Sequence, residues 1–168
     1  MSVSERKFGT LPTGEEVKIY HLENKKGAYA EVLQYGAILV KICVPDKKGD
    51  LKDVVLGYDE PEKYLHQDAH FGEIVGRNAN RISNATCTID GITYALVIND
   101  NGINNLHSGP DFLRDRIWDA EISETEAGTK ITFSLFSPDG DQNYPGNADI
   151  RVSYTLTEDD AVRIDYHM

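Results

Sequence analysis

At 168 residues, 40% of them hydrophobic and 27% charged, the chain suits one domain large enough to bury its own core. Its formal net charge of −11 argues against nucleic acid and against a membrane surface as partners, because both call for a concentrated basic face. A neutral, hydroxyl-rich ligand is indifferent to that charge. Met1 to Lys7 hold no apolar leader and no later run is long enough to span a bilayer, so a cytoplasmic location is the default expectation.

In chain order the punctuation is that of an all-β protein. Residues 16–22 alternate polar and apolar side chains, and Asn24 to Gly27 turn the chain. A strand over 28–34, a turn at Tyr35-Gly36 and an apolar run over 37–45 follow, then a turn over 46–50 and a short strand over 53–58. Residues 60–66, with Pro61 near the start, predict a single helical turn. Residues 86–97 read as a hairpin folding at Asp90-Gly91, a dipeptide that favours tight hairpin turns. Further strands are predicted over 116–122, 130–136, 149–157 and 161–166, with a turn at Pro138-Asp139-Gly140. Cys43 and Cys87 lie in strand-like runs outside any metal or redox spacing and read as small strand residues. Regular strand-turn units with little helix predict an antiparallel β-sandwich. The last strand has no covering element after it, so the sandwich reads as incomplete. Such an edge invites self-association or pairing with another chain through the C-terminal strand.

Two segments concentrate groups suited to binding hydroxyls. They are Gly76-Arg77-Asn78-Ala79-Asn80-Arg81-Ile82 and Asn105-Leu106-His107-Ser108-Gly109. Arginine donates in a planar fork, asparagine both donates and accepts, and histidine does either or moves a proton. Asn80 and Arg81 are candidates to hold ligand hydroxyls or a ring oxygen; the plainer reading is a turn with both arginines paired to carboxylates. His107 is a candidate proton donor or acceptor, against the plainer reading of a surface loop residue. His21, His66, His70 and His167 are weaker candidates. Only His66 and His70 are neighbours, and their spacing suits a metal only on a helix, so no metal site is expected. Trp118 could stack on a ring face but reads better as core. Residues 139–146 are rich in oxygen ligands yet lack calcium-loop spacing. No phosphate-loop, dinucleotide or serine-nucleophile motif occurs.

Taken together, Gly76-Arg77-x-Ala79-Asn80-Arg81-Ile82, Asp90-Gly91-x-x-Tyr94-x-Leu96, Asn105-Leu106-His107 and Trp118-Asp119-Ala120 resemble the aldose 1-epimerase (galactose mutarotase) family. So do Phe8-Gly9-Thr10-Leu11-Pro12-x-Gly14, Tyr35-Gly36-Ala37, Val44-Pro45-Asp46, Asp53-Val54-Val55-Leu56-Gly57-Tyr58 and Asp139-Gly140-x-x-x-Tyr144-Pro145-Gly146. The resemblance implies a large antiparallel β-sandwich of the mutarotase type. It also implies an isomerase that interconverts the α and β anomers of free hexoses, such as galactose or glucose, by acid/base ring opening without cofactor or metal. It carries sugar contact onto Asn80 and Arg81, and a supporting place near the reacting centre onto His107. Family members are about twice as long, and their catalytic acid, sugar-binding aspartate and catalytic base would all lie past Met168. Residues 1–168 are therefore expected to be the N-terminal portion of one such domain, lacking the main acid and base and inactive alone. The alternative is a non-catalytic carbohydrate-binding or structural remnant. Ser108 stands where the family often has glycine. The sequence does not place the nearby carboxylates Glu73, Asp111 and Asp115 relative to His107. A sugar-phosphate substrate would want cations beyond Arg77 and Arg81, and no such cluster is visible.

Overall fold

The structure is a computed structural model that describes residues 2–65, 69–126 and 128–168. Strands β1 (Ser2–Thr10), β2 (Glu16–Glu23), β3 (Tyr29–Leu33), β4 (Leu39–Pro45) and β5 (Leu51–Asp53) form an antiparallel meander in sequence order. The helical turn α1 (Pro61–Leu65) follows. Next come β6 (Arg81–Ile82), β7 (Thr86–Ile89), β8 (Ile92–Ala95) and β9 (Asn105–Leu106). Strands β10 (Asp119–Thr125), β11 (Gly128–Ser137), β12 (Ala148–Leu156) and β13 (Val162–His167) make a second antiparallel meander.

The main core lies between the two meanders. Tyr20, Leu22 and Val32 of the first sheet meet Ile131, Phe133, Val152, Tyr154 and Leu156 of the second, with Trp118 and Leu113 filling one end. Tyr20 packs edge-on to Phe133, with ring centres 5.6 Å apart, a favoured aromatic geometry. Tyr154 donates to the carbonyl of Ala37 at 2.8 Å, which satisfies its buried hydroxyl and ties the sheets together. Val17 and Ile19 point the other way, into a second cluster with Leu33, Ile38, Val40 and Tyr64 of α1. β2 is therefore buried on both faces, although its sequence alternates as a half-exposed strand would. At the contact with α1, a Cβ on Gly9 would stand 2.5 Å from a ring carbon of Pro61, so only glycine fits.

The all-β antiparallel sandwich expected from the sequence is present, and Trp118 is core, its indole N–H donating to Leu113 O at 3.0 Å. Both cysteines are free. The hairpin turns at Asp90 and Gly91, both with positive φ, as a two-residue loop requires. The strand predicted over 53–58 is a correction. Pairing covers only Leu51–Asp53, because the Asp53 carboxylate accepts from the N–H groups of Ile42 and Val55 and closes the ladder. Val54 and Leu56 beyond it are exposed. β1 was not legible because Ser-Val-Ser-Glu-Arg-Lys carries no apolar alternation; it is held at the sheet edge by backbone pairing and by ion pairs such as Lys18–Glu5 at 2.8 Å. No helix among the described residues is long and apolar enough to cross a membrane.

Candidate functional site

The fold joins segments 76–82 and 105–109 by the two-residue β6–β9 ladder, in which Arg81 lies opposite Leu106 and Ile82 opposite Asn105. Just beyond it the bonds become reciprocal. The His107 N–H donates to Asn80 O at 3.0 Å, and the Asn80 N–H donates to His107 Nδ1 at 3.0 Å. Asn80, His107 and Ser108 all take positive φ, so the chain bends sharply on both sides of the contact. Ser108 sits at a φ of 59°, where glycine is usual. Its side chain compensates: Oγ accepts from Asn78 N–H at 2.8 Å and lies 3.3 Å from the Tyr144 hydroxyl. Asn105 is fully buried and donates to Val97 O and Gly109 O, fixing the base of the loop.

A backbone N–H can only donate, so Nδ1 of His107 must accept. The neutral ring is then the Nε2–H tautomer, with its remaining donor turned away from the Asn80 contact. Burial, followed by the nearby His70, pushes the His107 pKa below its ordinary value and favours this neutral form.

The two arginines of the first segment part company. Arg77 spends its whole fork on the protein: Nε donates to Ser137 Oγ (2.9 Å), Nη1 to Pro145 O (3.1 Å) and Gly146 O (2.9 Å), Nη2 to Ser137 O and Pro138 O (both 2.8 Å). Ser137 Oγ in turn donates to Asp141, which Arg116 clamps with two bonds of 2.7 and 2.8 Å. The oxygen-rich 139–146 segment is thus a loop pinned by arginines, and the described residues hold no cluster suited to a metal ion. Arg81 instead leaves 51% of its side chain exposed. Nε and Nη2 straddle Asp100 at 3.0 and 3.1 Å, and Nη1 reaches Asn80 Oδ1 at 3.4 Å. Arg81 and the Asn104 amide hold the Asp100 carboxyl below its ordinary pKa. Asp100 therefore aims the guanidinium without enclosing it, so Asn80, Arg81 and His107 form one ledge.

Behind the ledge stands His70, one of the weaker sequence candidates, in a cluster with Glu73 and Arg114 that the sequence does not place. The His70 ring centre is 5.2 Å from that of His107. Its Nδ1 lies 2.7 Å from Glu73 Oε2, and Arg114 Nη1 donates to both Glu73 oxygens at 2.9 and 3.1 Å. Glu73 is 1% exposed, and the Arg114 guanidinium on both its oxygens offsets the cost of burying its charge. These residues, with Phe112 and Leu113, line a crevice of about 10 Å³, room for one water and not for a hexose. Asp115 accepts from the Tyr35 hydroxyl at 3.3 Å and lies 3.4 Å from Arg114 Nε. Asp111 contributes its backbone carbonyl to Arg116 and Gln142. His21 packs on Tyr29. His167 lines a cleft together with Arg77 and Tyr144. The His66–His70 pairing weighed for a metal involves His66, which lies outside the described residues.

Fold and site together define a β-sandwich with a polar ledge built by two crossing loop segments. The chain belongs to the aldose 1-epimerase family, whose sequence profile matches residues 18–168. It is 38% identical over 157 residues to the galactose mutarotase of Bos taurus, covering 93% of this chain and 44% of the relative. It is 36% identical over 155 residues to the aldose 1-epimerase of Escherichia coli (strain K12), covering 92% and 44%. Among solved structures, the galactose 1-epimerase of Lactobacillus acidophilus NCFM superposes with a TM-score of 0.79 at 27% identity, over 94% of this chain and 45% of that one. An aldose epimerase homologue from C. elegans gives 0.77 at 36% identity, over 87% and 44%. The chain thus spans less than half the length of the relatives it matches.

Proposed function

We propose that this chain supplies the hexose-holding part of an aldose 1-epimerase, with Asn80, Arg81 and His107 as the groups that contact the sugar. The observation that carries this reading is the reciprocal Asn80–His107 pair beside an exposed, Asp100-aimed Arg81. Together they present a neutral imidazole N–H, a carboxamide and guanidinium donors to one region of solvent. That set suits the oxygens of a free hexose such as galactose, which carry no charge but both donate and accept.

In the reaction, a base removes the proton of the anomeric hydroxyl while an acid protonates the ring oxygen. The C1–O5 bond breaks, the aldehyde rotates, and the ring closes on its other face. The Nε2–H of His107 suits a supporting donor near the reacting centre. The main acid and base are assigned to the part of the family fold that this chain does not span, so the chain alone binds without catalysing. The uncovered face of β13 fits that division. Ile164 and Tyr166 stand opposite Tyr154 and Val152 and extend the core face outward, yet both are exposed. The occupant assigned to that edge is the rest of the family sandwich.

A second reading, a non-catalytic carbohydrate-binding remnant, is favoured by the small crevice at His107, which cannot enclose a sugar. Titrating the chain with D-galactose under ¹⁵N-edited NMR tests both. Weak saturable shifts at Asn80, Arg81 and His107 that vanish in Arg81→Ala are expected. Shifts that survive Arg81→Ala would overturn the site assignment.

A further inference from the structure

We propose that His70 is a second sugar-contacting residue, an acceptor matched to the donor of His107, so that the two imidazoles bind one hydroxyl or two adjacent ones between them. The proposal rests on the reading of the ledge as a hexose site and adds a group to it.

The inference comes from the hydrogen bonds at the two inner nitrogens. On His107, Nδ1 receives the Asn80 N–H, which leaves Nε2–H as a donor. On His70, Nδ1 stands 2.7 Å from Glu73 Oε2. An ionised carboxylate can only accept, so that nitrogen carries the proton and the outer Nε2 of the neutral ring is an acceptor. Arg114 Nη1 also comes within hydrogen-bond geometry of Nδ1, at 2.9 Å, while donating to the two Glu73 oxygens at 2.9 and 3.1 Å. If Arg114 donated to Nδ1 instead, a ring lone pair would face a carboxylate oxygen at 2.7 Å, an unfavourable contact.

The rings are thus held in opposite tautomers by two unrelated protein contacts. A sugar hydroxyl both donates and accepts, so it completes a donor and an acceptor at once. A hydroxyl bonded at about 2.8 Å to each ring bridges nitrogens up to about 5.6 Å apart, and the two rings are neighbours, with centres 5.2 Å apart and planes inclined at 59°. His70 keeps 34% of its side chain exposed and is reachable from the ledge. Glu73 and Arg114 are positioning residues that fix the ring.

The test pairs two substitutions with a direct reading of the tautomers. Asparagine places its amide N–H near the inner nitrogen of histidine, so His70→Asn keeps a donor to Glu73 and deletes the outer acceptor. Glutamine reaches the outer position and restores an acceptor there. D-galactose binding, read by NMR titration, is expected to weaken about fivefold to tenfold in His70→Asn, the worth of one net hydrogen bond. It should recover in His70→Gln. Long-range ¹H–¹⁵N spectra of the unliganded chain are expected to show Nδ1–H on His70 and Nε2–H on His107. Galactose binding that is lost in Arg81→Ala but unchanged in His70→Asn overturns this proposal and spares the hexose reading. The same tautomer on both rings also overturns it. No galactose binding by the unmodified chain overturns both.

Discussion

Replacing Arg77 by alanine removes five hydrogen bonds at once, all made to the loop that carries Ser137, Pro138, Pro145 and Gly146. The bonds to Gly146 O and Pro138 O are exposed, and water replaces them at little cost. The bonds to Ser137 Oγ, Ser137 O and Pro145 O are part-buried and leave acceptors without a donor. At about 1 to 1.5 kcal/mol each, these three give a loss of about 3 to 4.5 kcal/mol. For a domain of this size that is a fall in Tm of about 6 to 18 °C. Trp118, the single tryptophan, is fully buried between the sheets, so its fluorescence reports global unfolding in urea or on heating. Arg77→Lys should recover less than half of the loss, because an ammonium reaches one or two of the five acceptors in place of a fixed fork. If Arg77→Ala unfolds within about 1 kcal/mol of the unmodified chain, the case for a structural Arg77 fails.

Arg81→Ala should cost under about 1 kcal/mol of stability in the same urea titration, since its pair with Asp100 is solvent-exposed on the arginine side. Trp118→Ala should cost about 3 to 5 kcal/mol, from a lost core side chain and its N–H bond to Leu113, read by circular dichroism. The Asp141 carboxyl is held below its ordinary pKa, first by Arg116 and then by Ser137. A depressed folded value means that this stabilisation is present above the unfolded pKa of about 3.9. It is lost as pH falls through the folded value. Asp141→Asn should lower stability at neutral pH and flatten its decline below about pH 4; an unchanged acid limb would contradict the assignment. His107 should titrate below its ordinary value of about 6.5 in an NMR pH series.

The fold was legible where strands alternate and turns carry Gly, Asn and Asp: β3, β4, β7, β8, β11 and β12 all fall where the pattern puts them. It was not legible at β1, whose polar residues are held by pairing with β2 and not by burial. Nor was it legible after Asp53, where one carboxylate ends the ladder that the apolar run suggested. The site residues stood out by type, but their roles did not. Arg77 and Arg81 look equivalent in sequence, and only the approach of the 137–146 loop makes one a staple while the other stays exposed. His70 drew little notice because nothing in its neighbourhood signals the Glu73–Arg114 pair, which depends on a contact across 41 residues. Ser108 at a left-handed position is similar, its strain offset by a partner 30 residues away.

The central claim is that this chain holds the sugar while the family's acid and base lie outside it. The most direct test follows the decay of optical rotation of fresh α-D-galactose with two proteins. One is the chain alone; the other is a chimera in which it replaces the matching 155 residues of the Escherichia coli aldose 1-epimerase. The account predicts no acceleration by the chain, acceleration by the folded chimera, and loss of that acceleration on Arg81→Ala or His107→Ala within it. Acceleration by the chain alone, or an active chimera indifferent to both substitutions, would contradict it.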